Sequence, residues 1–191
     1  MRHRLRHIHF SGTVGLKKSV CTIVFGLCMS LIALKAQGTV ASEYQVKAVF
    51  LYNFTHFIDW PPASFDSPYA PFIIGVAGND PFGAALEAAV QGERIGSHLI
   101  RIEHYKSAGE IGRCHILYVG SQDPDEIKNI LSVVNGRNIL TVGDTPNFIR
   151  WGGMIRFYTE ENKIRLQINN TAAKTARLKI SSKLLRVSQV S

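Results

Sequence analysis

Between Phe72 and Gly143 short apolar runs alternate with amphipathic helical patterns, and this alternation narrows the fold more than any other feature of the chain. Phe72 to Val76, Ile116 to Val119 and Ile139 to Val142 are near-continuous apolar runs closed by Gly78, Gly120 and Gly143. Such runs suit strands buried on both faces. Leu99, Ile100 and Ile102 mark another strand. Between the runs, Phe82, Leu86 and Val90 recur four apart, and Ile127, Ile130, Leu131 and Val134 share one helical side. Asp80 as N-cap, Pro81 in the first turn and Gly92 as stop bound the first helix; Ser121 to Asp125 opens the second and Asn135-Gly136 ends it. The pattern predicts an α/β fold: a single compact domain with a mostly parallel mixed sheet and helices on both faces.

The last third reads differently. Met154 to Tyr158 and Lys163 to Ile168 flank Glu160-Glu161-Asn162, and Ile164, Leu166 and Ile168 alternate with Arg165 and Gln167. That is a half-buried hairpin added to the sheet. Asn170 is placed to cap a short helix over Thr171 to Ala176. Leu178 to Ile180 reads as a last strand, and Ser182 caps a terminal helix carrying Leu184, Leu185 and Val187.

Upstream, Tyr44 to Pro62 is a dense aromatic helix pattern with an abrupt stop. Val46, Val49, Phe50, Phe54 and Phe57 share one side, Leu51 and Ile58 widen it, and Lys47 and Thr55 fall outside it. The expected core face is therefore the valine and phenylalanine side. Pro61 and Pro62 bar continuation and push Trp60 towards extended geometry. Ala63 to Pro71 is a loose Ser/Pro-rich link.

Residues 1–36 read as a secretory signal peptide. Basic residues precede an uncharged run of 16 residues, Ser19 to Leu34, short for a membrane span of roughly 20. Ala36 and Ala41 are both suitable last leader residues. The domain then covers residues 43–191. The net charge of +8 suggests nucleic acid, but six of the 22 Lys and Arg lie in the leader with no acidic residue. The remaining 16 face 14 Asp and Glu, a net of +2 without a basic cluster, so nucleic acid is excluded as a partner. Cys21 and Cys28 also fall in the leader, which leaves Cys114 as the single mature cysteine, either buried or free for an intermolecular bond.

Chemistry is sparse. Gly78 to Gly83 follows a strand and opens a helix but lacks phosphate-loop spacing. Adjacent Cys114 and His115 point to opposite faces of a strand and cannot pair. His56, His98, His104 and His115 lack metal-site spacing. No catalytic residue, metal site or cofactor is expected. The remaining candidates are aromatic: Trp60 at the helix exit, and Trp151 before Gly152-Gly153, which is either a tight turn or a contact surface.

Four blocks occur in order: YQVKAVFLYNFTHFIDWP at 44–61, CHILYVG at 114–120, ILTVGDTPNFIRWGGMIRF at 139–157 and LQINNTAAKTARLKISSKLLRVS at 166–188. With the leader, they resemble the YfiR/HmsC-like family of periplasmic regulatory proteins. The resemblance implies a non-enzymatic regulator that binds the periplasmic part of an inner-membrane signalling protein, a diguanylate cyclase, and lowers cyclic-di-GMP output. Trp60 and Trp151 are the expected partner-binding residues. The alternative is a periplasmic small-ligand-binding sensor acting on another membrane protein; a bound small ligand and a homodimer stay open. Some members carry internal disulfides that couple redox state to folding. Cys114 matches one such position, but its counterpart falls at Gly75 and a second pair is missing between Asp144 and Gly153. An internal redox switch is therefore not expected.

Overall fold

The computed structural model describes residues 43–191. The expected leader, with both cleavage points, lies outside the described residues. Helix α1 covers residues 43–57. It is followed by β1 (Ile58–Asp59), a 3-10 turn (Pro62–Ser64), β2 (Phe72–Gly78), α2 (Ala84–Val90), β3 (Arg94–Ile95) and β4 (His98–Tyr105). Then come β5 (Ile116–Gly120), α3 (Pro124–Val134), β6 (Leu140–Gly143), β7 (Ile155–Glu160) and β8 (Lys163–Ile168). The chain ends in α4 (Asn170–Thr175), β9 (Lys179–Ile180), α5 (Ser182–Arg186) and β10 (Gln189–Val190).

Eight strands form one mixed sheet in the order β10-β8-β7-β6-β5-β2-β4-β3. Strands β4, β2, β5, β6 and β7 run parallel, and β8 returns antiparallel in the expected hairpin. Glu161 and Asn162 make its tight turn, both with positive φ (50° and 57°). β1 and β9 pair antiparallel in a separate two-stranded sheet. Alternate residues feed two cores. Ile74 and Val76, Ile116 and Tyr118, and Leu140 and Val142 pack beneath α1, α2, α4 and α5. Ala77, Leu117, Val119 and Ile139 pack beneath α3 with Phe148. The α/β class, the mostly parallel sheet and the helices on both faces are as the sequence implies.

Several local expectations shift. Helix α2 begins at Ala84 rather than beside Pro81, because the Asp80 carboxylate takes the Phe82 N–H in a local turn and Gly83 leaves the helical path at φ 53°. Asn169, not Asn170, caps α4 by accepting from Ala172 N, and Ser181, not Ser182, caps α5. The link after Pro62 is tied down: Ser64 is buried and Phe65 packs against the core.

The largest correction concerns α1. Its core face is Lys47, Ala48, Leu51, Phe54 and Thr55, continued by Ile58 of β1, all buried. Val46 and Val49, expected in the core, are 43% and 50% exposed, and Phe50 and Phe57 are only partly covered. The helix is apolar on two sides, and an aspartate elsewhere in the fold decides which turns inward.

Candidate functional site

In open parallel sheets the usual ligand crevice lies beyond the carboxyl ends of the strands, where strand order reverses. Here the reversal falls between β2 and β5, at Gly78 and Gly120. The chain's own groups fill that place. The Asn79 carbonyl oxygen lies 1.8 Å from where a Cβ on Gly120 would stand, so only glycine fits there. Ser121 Oγ donates to Glu126 at 2.6 Å, and Thr145 Oγ1 donates to the Ser121 carbonyl at 3.2 Å.

Asp144 follows directly after β6 and gathers the first turns of α1. Tyr44 Oη donates to Asp144 Oδ2 at 2.9 Å, Lys47 Nζ at 2.8 Å and Tyr118 Oη at 2.9 Å. Glu43 adds a second carboxylate to Lys47 at 2.8 Å. Burial pushes the Asp144 carboxyl up, but Lys47 and the two phenols outweigh it and hold it below its ordinary value. Burial pulls the Lys47 ammonium down, but Asp144 and Glu43 hold it above its ordinary value. Tyr44 also packs edge-on against Phe82, which meets Tyr118 in the same way. The network orients α1 and covers the strand ends.

The two tryptophans are not brought together. Trp60 is partly buried in the core beneath α1: its Nε1–H donates to the His115 carbonyl at 3.1 Å and its ring meets Phe72 edge-on. Trp151 packs on the opposite face, against the core beneath α3, with Lys128 Nζ 5.6 Å from its ring centre. The Gly152-Gly153 turn permits a close approach. A Cβ on Gly153 would stand 2.3 Å from the Phe148 ring.

Cys114 and His115 do face apart. Cys114 lies in the α3-side core, where burial pushes its thiol up to about 12, so it stays protonated at neutral pH. His115 is sandwiched between Phe65 and Phe72, both centred 4.5 Å away, and Phe65 stacks in turn on His98. Its Nδ1 accepts from Ile73 N, which puts the proton on Nε2. Burial pulls its pKa down to about 4, so the ring is neutral. Among the described residues no group of three or more His, Cys, Asp or Glu is arranged to hold a metal ion.

An apolar groove of about 320 Å³ opens between α1 and α5, lined by Phe50, Phe54, Phe57, Lys183, Leu184 and Val187. Val46 and Val49 extend it along the outer side of α1. Val187, expected within the terminal helix, stands just past it and is 72% exposed. The rim is basic. Residues 162–191 contain no Asp or Glu. Lys174, Arg177, Lys179, Lys183 and Arg186 are exposed, and none makes an ion pair among the described residues. Sequence reasoning missed this surface because it placed the Val46-Phe50-Phe57 stripe in the core. The signal available was a helix apolar on more than one side, which needs more than one cover.

Residues 44–189 match the model of a family described as YfiR/HmsC-like. No curated protein matches the chain. Among solved structures, the ABC domain from Streptococcus pneumonia in complex with L-Trp has a similar fold, with TM-score 0.50 and 11% identity. The match covers 78% of this chain and 60% of that one, so the chain spans less than two thirds of its length. At that identity the likeness concerns the fold alone.

Proposed function

The chain belongs to the YfiR/HmsC-like family, and from that premise we propose that it is a periplasmic, non-enzymatic regulator that binds the periplasmic part of an inner-membrane signalling protein. The partner in this reading is a diguanylate cyclase, which the bound regulator restrains, lowering cyclic-di-GMP. The signal-like leader supports export.

The observation that carries the reading is the uncovered apolar stripe of α1, which continues into the α1–α5 groove beside the exposed Lys183. An apolar stripe of this kind on a folded domain marks a contact surface. Lys183 at its edge, in a C-terminal segment without Asp or Glu, fits one occupant, a partner segment that presents apolar side chains flanked by an acidic residue. The contact thus moves from Trp60 and Trp151 to the groove, and the tryptophans brace the two cores. Pull-down of the tagged mature protein from solubilised inner membranes tests this. Recovery of a cyclase with the native protein, and its loss with Lys183→Glu, is expected. Equal recovery with both would overturn the choice of surface.

A further inference from the structure

A second opening lies at the other end of the sheet, at the amino ends of β5 and β6, and the regulatory contact does not use it. Its volume is about 450 Å³, and Ser64, Arg113, Cys114, Arg137, Asn138 and Ile139 line it. Three chain segments meet there: the turn before β2 and the loops that lead into β5 and β6.

The cavity is cationic. Arg137 Nη1 donates to the Ile111 carbonyl at 3.2 Å, and Nη2 donates to the Gly112 carbonyl. These two carbonyls fix the guanidinium without neutralising it. Arg137 makes no ion pair among the described residues, and three of its five N–H groups remain. Arg113 pairs with Asp66 at 2.8 Å, with both side chains at least half exposed, and its Nη1 reaches the Ala63 and Ser64 carbonyls at 3.4 and 3.5 Å. An exposed pair of this kind contributes little, so a better anion displaces it readily.

Two guanidinium forks on one cavity, neither of them buried, are the equipment that binds carboxylate or phosphate oxygens. Ile139 and Cys114 form an apolar wall for the remainder of a small molecule.

We infer that this cavity is a binding site for a small oxyanion, a carboxylate- or phosphate-bearing molecule, held by Arg113 and Arg137. The test is thermal melting and titration calorimetry of the mature protein at constant ionic strength with inorganic phosphate, glycerol 3-phosphate and citrate. At least one probe should give a saturable rise in Tm, and the three arms separate free phosphate, phosphate ester and carboxylate as sources. Arg113→Gln should weaken that probe tenfold or more. Arg137→Lys, which keeps the charge and loses the planar fork, should weaken it several-fold. A rise in Tm of equal size in native protein and both variants would show general salting-out and overturn the site. So would the absence of saturable binding by all three probes.

Discussion

Lys47 Nζ lies 2.8 Å from Asp144 Oδ2 across 97 positions of sequence, and this pair sets which side of α1 faces the core. Had the valine side turned inward, Lys47 and Tyr44 would both leave, and Asp144 would be a largely buried carboxylate with only the Tyr118 phenol and a long contact to the Gln122 amide. Removing one partner of a buried pair typically costs about 3–5 kcal/mol because the other charge is left uncompensated.

Lys47→Met and Asp144→Asn should each lower stability by about that amount, and the double variant should lose much less than the sum. Urea denaturation of the four proteins measures it. The pH dependence has a definite sign. Asp144 is held below its ordinary value, so its contribution is present above about pH 4 and is lost as pH falls through its folded value. Lys47 is held above its ordinary value, so its contribution is present below about pH 10 and is lost as pH rises through its folded value. Both charges therefore support the fold across the range between.

The sheet was legible because its signals are local. Apolar runs ending in Gly78, Gly120 and Gly143 are strands whatever surrounds them. The facing of α1 was not legible, because helical spacing alone ranks Val46 above Lys47. The fact that reverses the order, Asp144, lies far away in sequence. Likewise the aromatic residues at 60 and 151 were visible, but not that they serve opposite faces. The two-residue strands β1, β9 and β10 pair across long separations and carry no period of their own. The cap shifts from 170 to 169 and from 182 to 181 are one-residue choices between neighbouring polar side chains.

His115 makes the fold sensitive to acid. Its folded value is about 4, against about 6.5 in the unfolded chain. Between these values the unfolded chain holds a proton that the native ring does not, so stability rises with pH across that window. Acidification from pH 7 to pH 4 should cost about 3 kcal/mol through this residue. Chemical denaturation at pH 7, 5.5 and 4.5 measures it. The slope should be largely lost in His115→Gln, whatever that variant's stability at pH 7.

Trp60 should behave as a brace. Trp60→Ala removes the T-shaped contact with Phe72 and leaves the His115 carbonyl without its indole donor. A loss of about 2–4 kcal/mol is expected, measured by denaturant melting. Trp60→Phe keeps a ring and should lose about half as much. A Trp60→Ala protein with native stability would contradict the role.

No disulfide should form at the Gly75 position. A Cβ there would stand 2.6 Å from Tyr105 Cε2. The register Ile74↔Ile116 puts Cys114 beside Phe72, three rungs away, roughly 10 Å along the strand and beyond disulfide reach. Gly75→Cys should therefore destabilise by about 1–3 kcal/mol through overpacking. Thiol titration in denaturant after oxidation at low protein concentration should still count two free thiols.

The contact surface is tested most directly by cyclic-di-GMP in a deletion strain that re-expresses Val187→Asp or Lys183→Glu. Both positions are exposed, so the variants should reach native levels with a native melting curve. The account predicts high cyclic-di-GMP in the deletion strain, a return to low levels with native protein, and persistently high levels with either variant. Full repression by both variants would contradict the groove as the contact, and a deletion strain with unchanged cyclic-di-GMP would contradict restraint of a cyclase altogether.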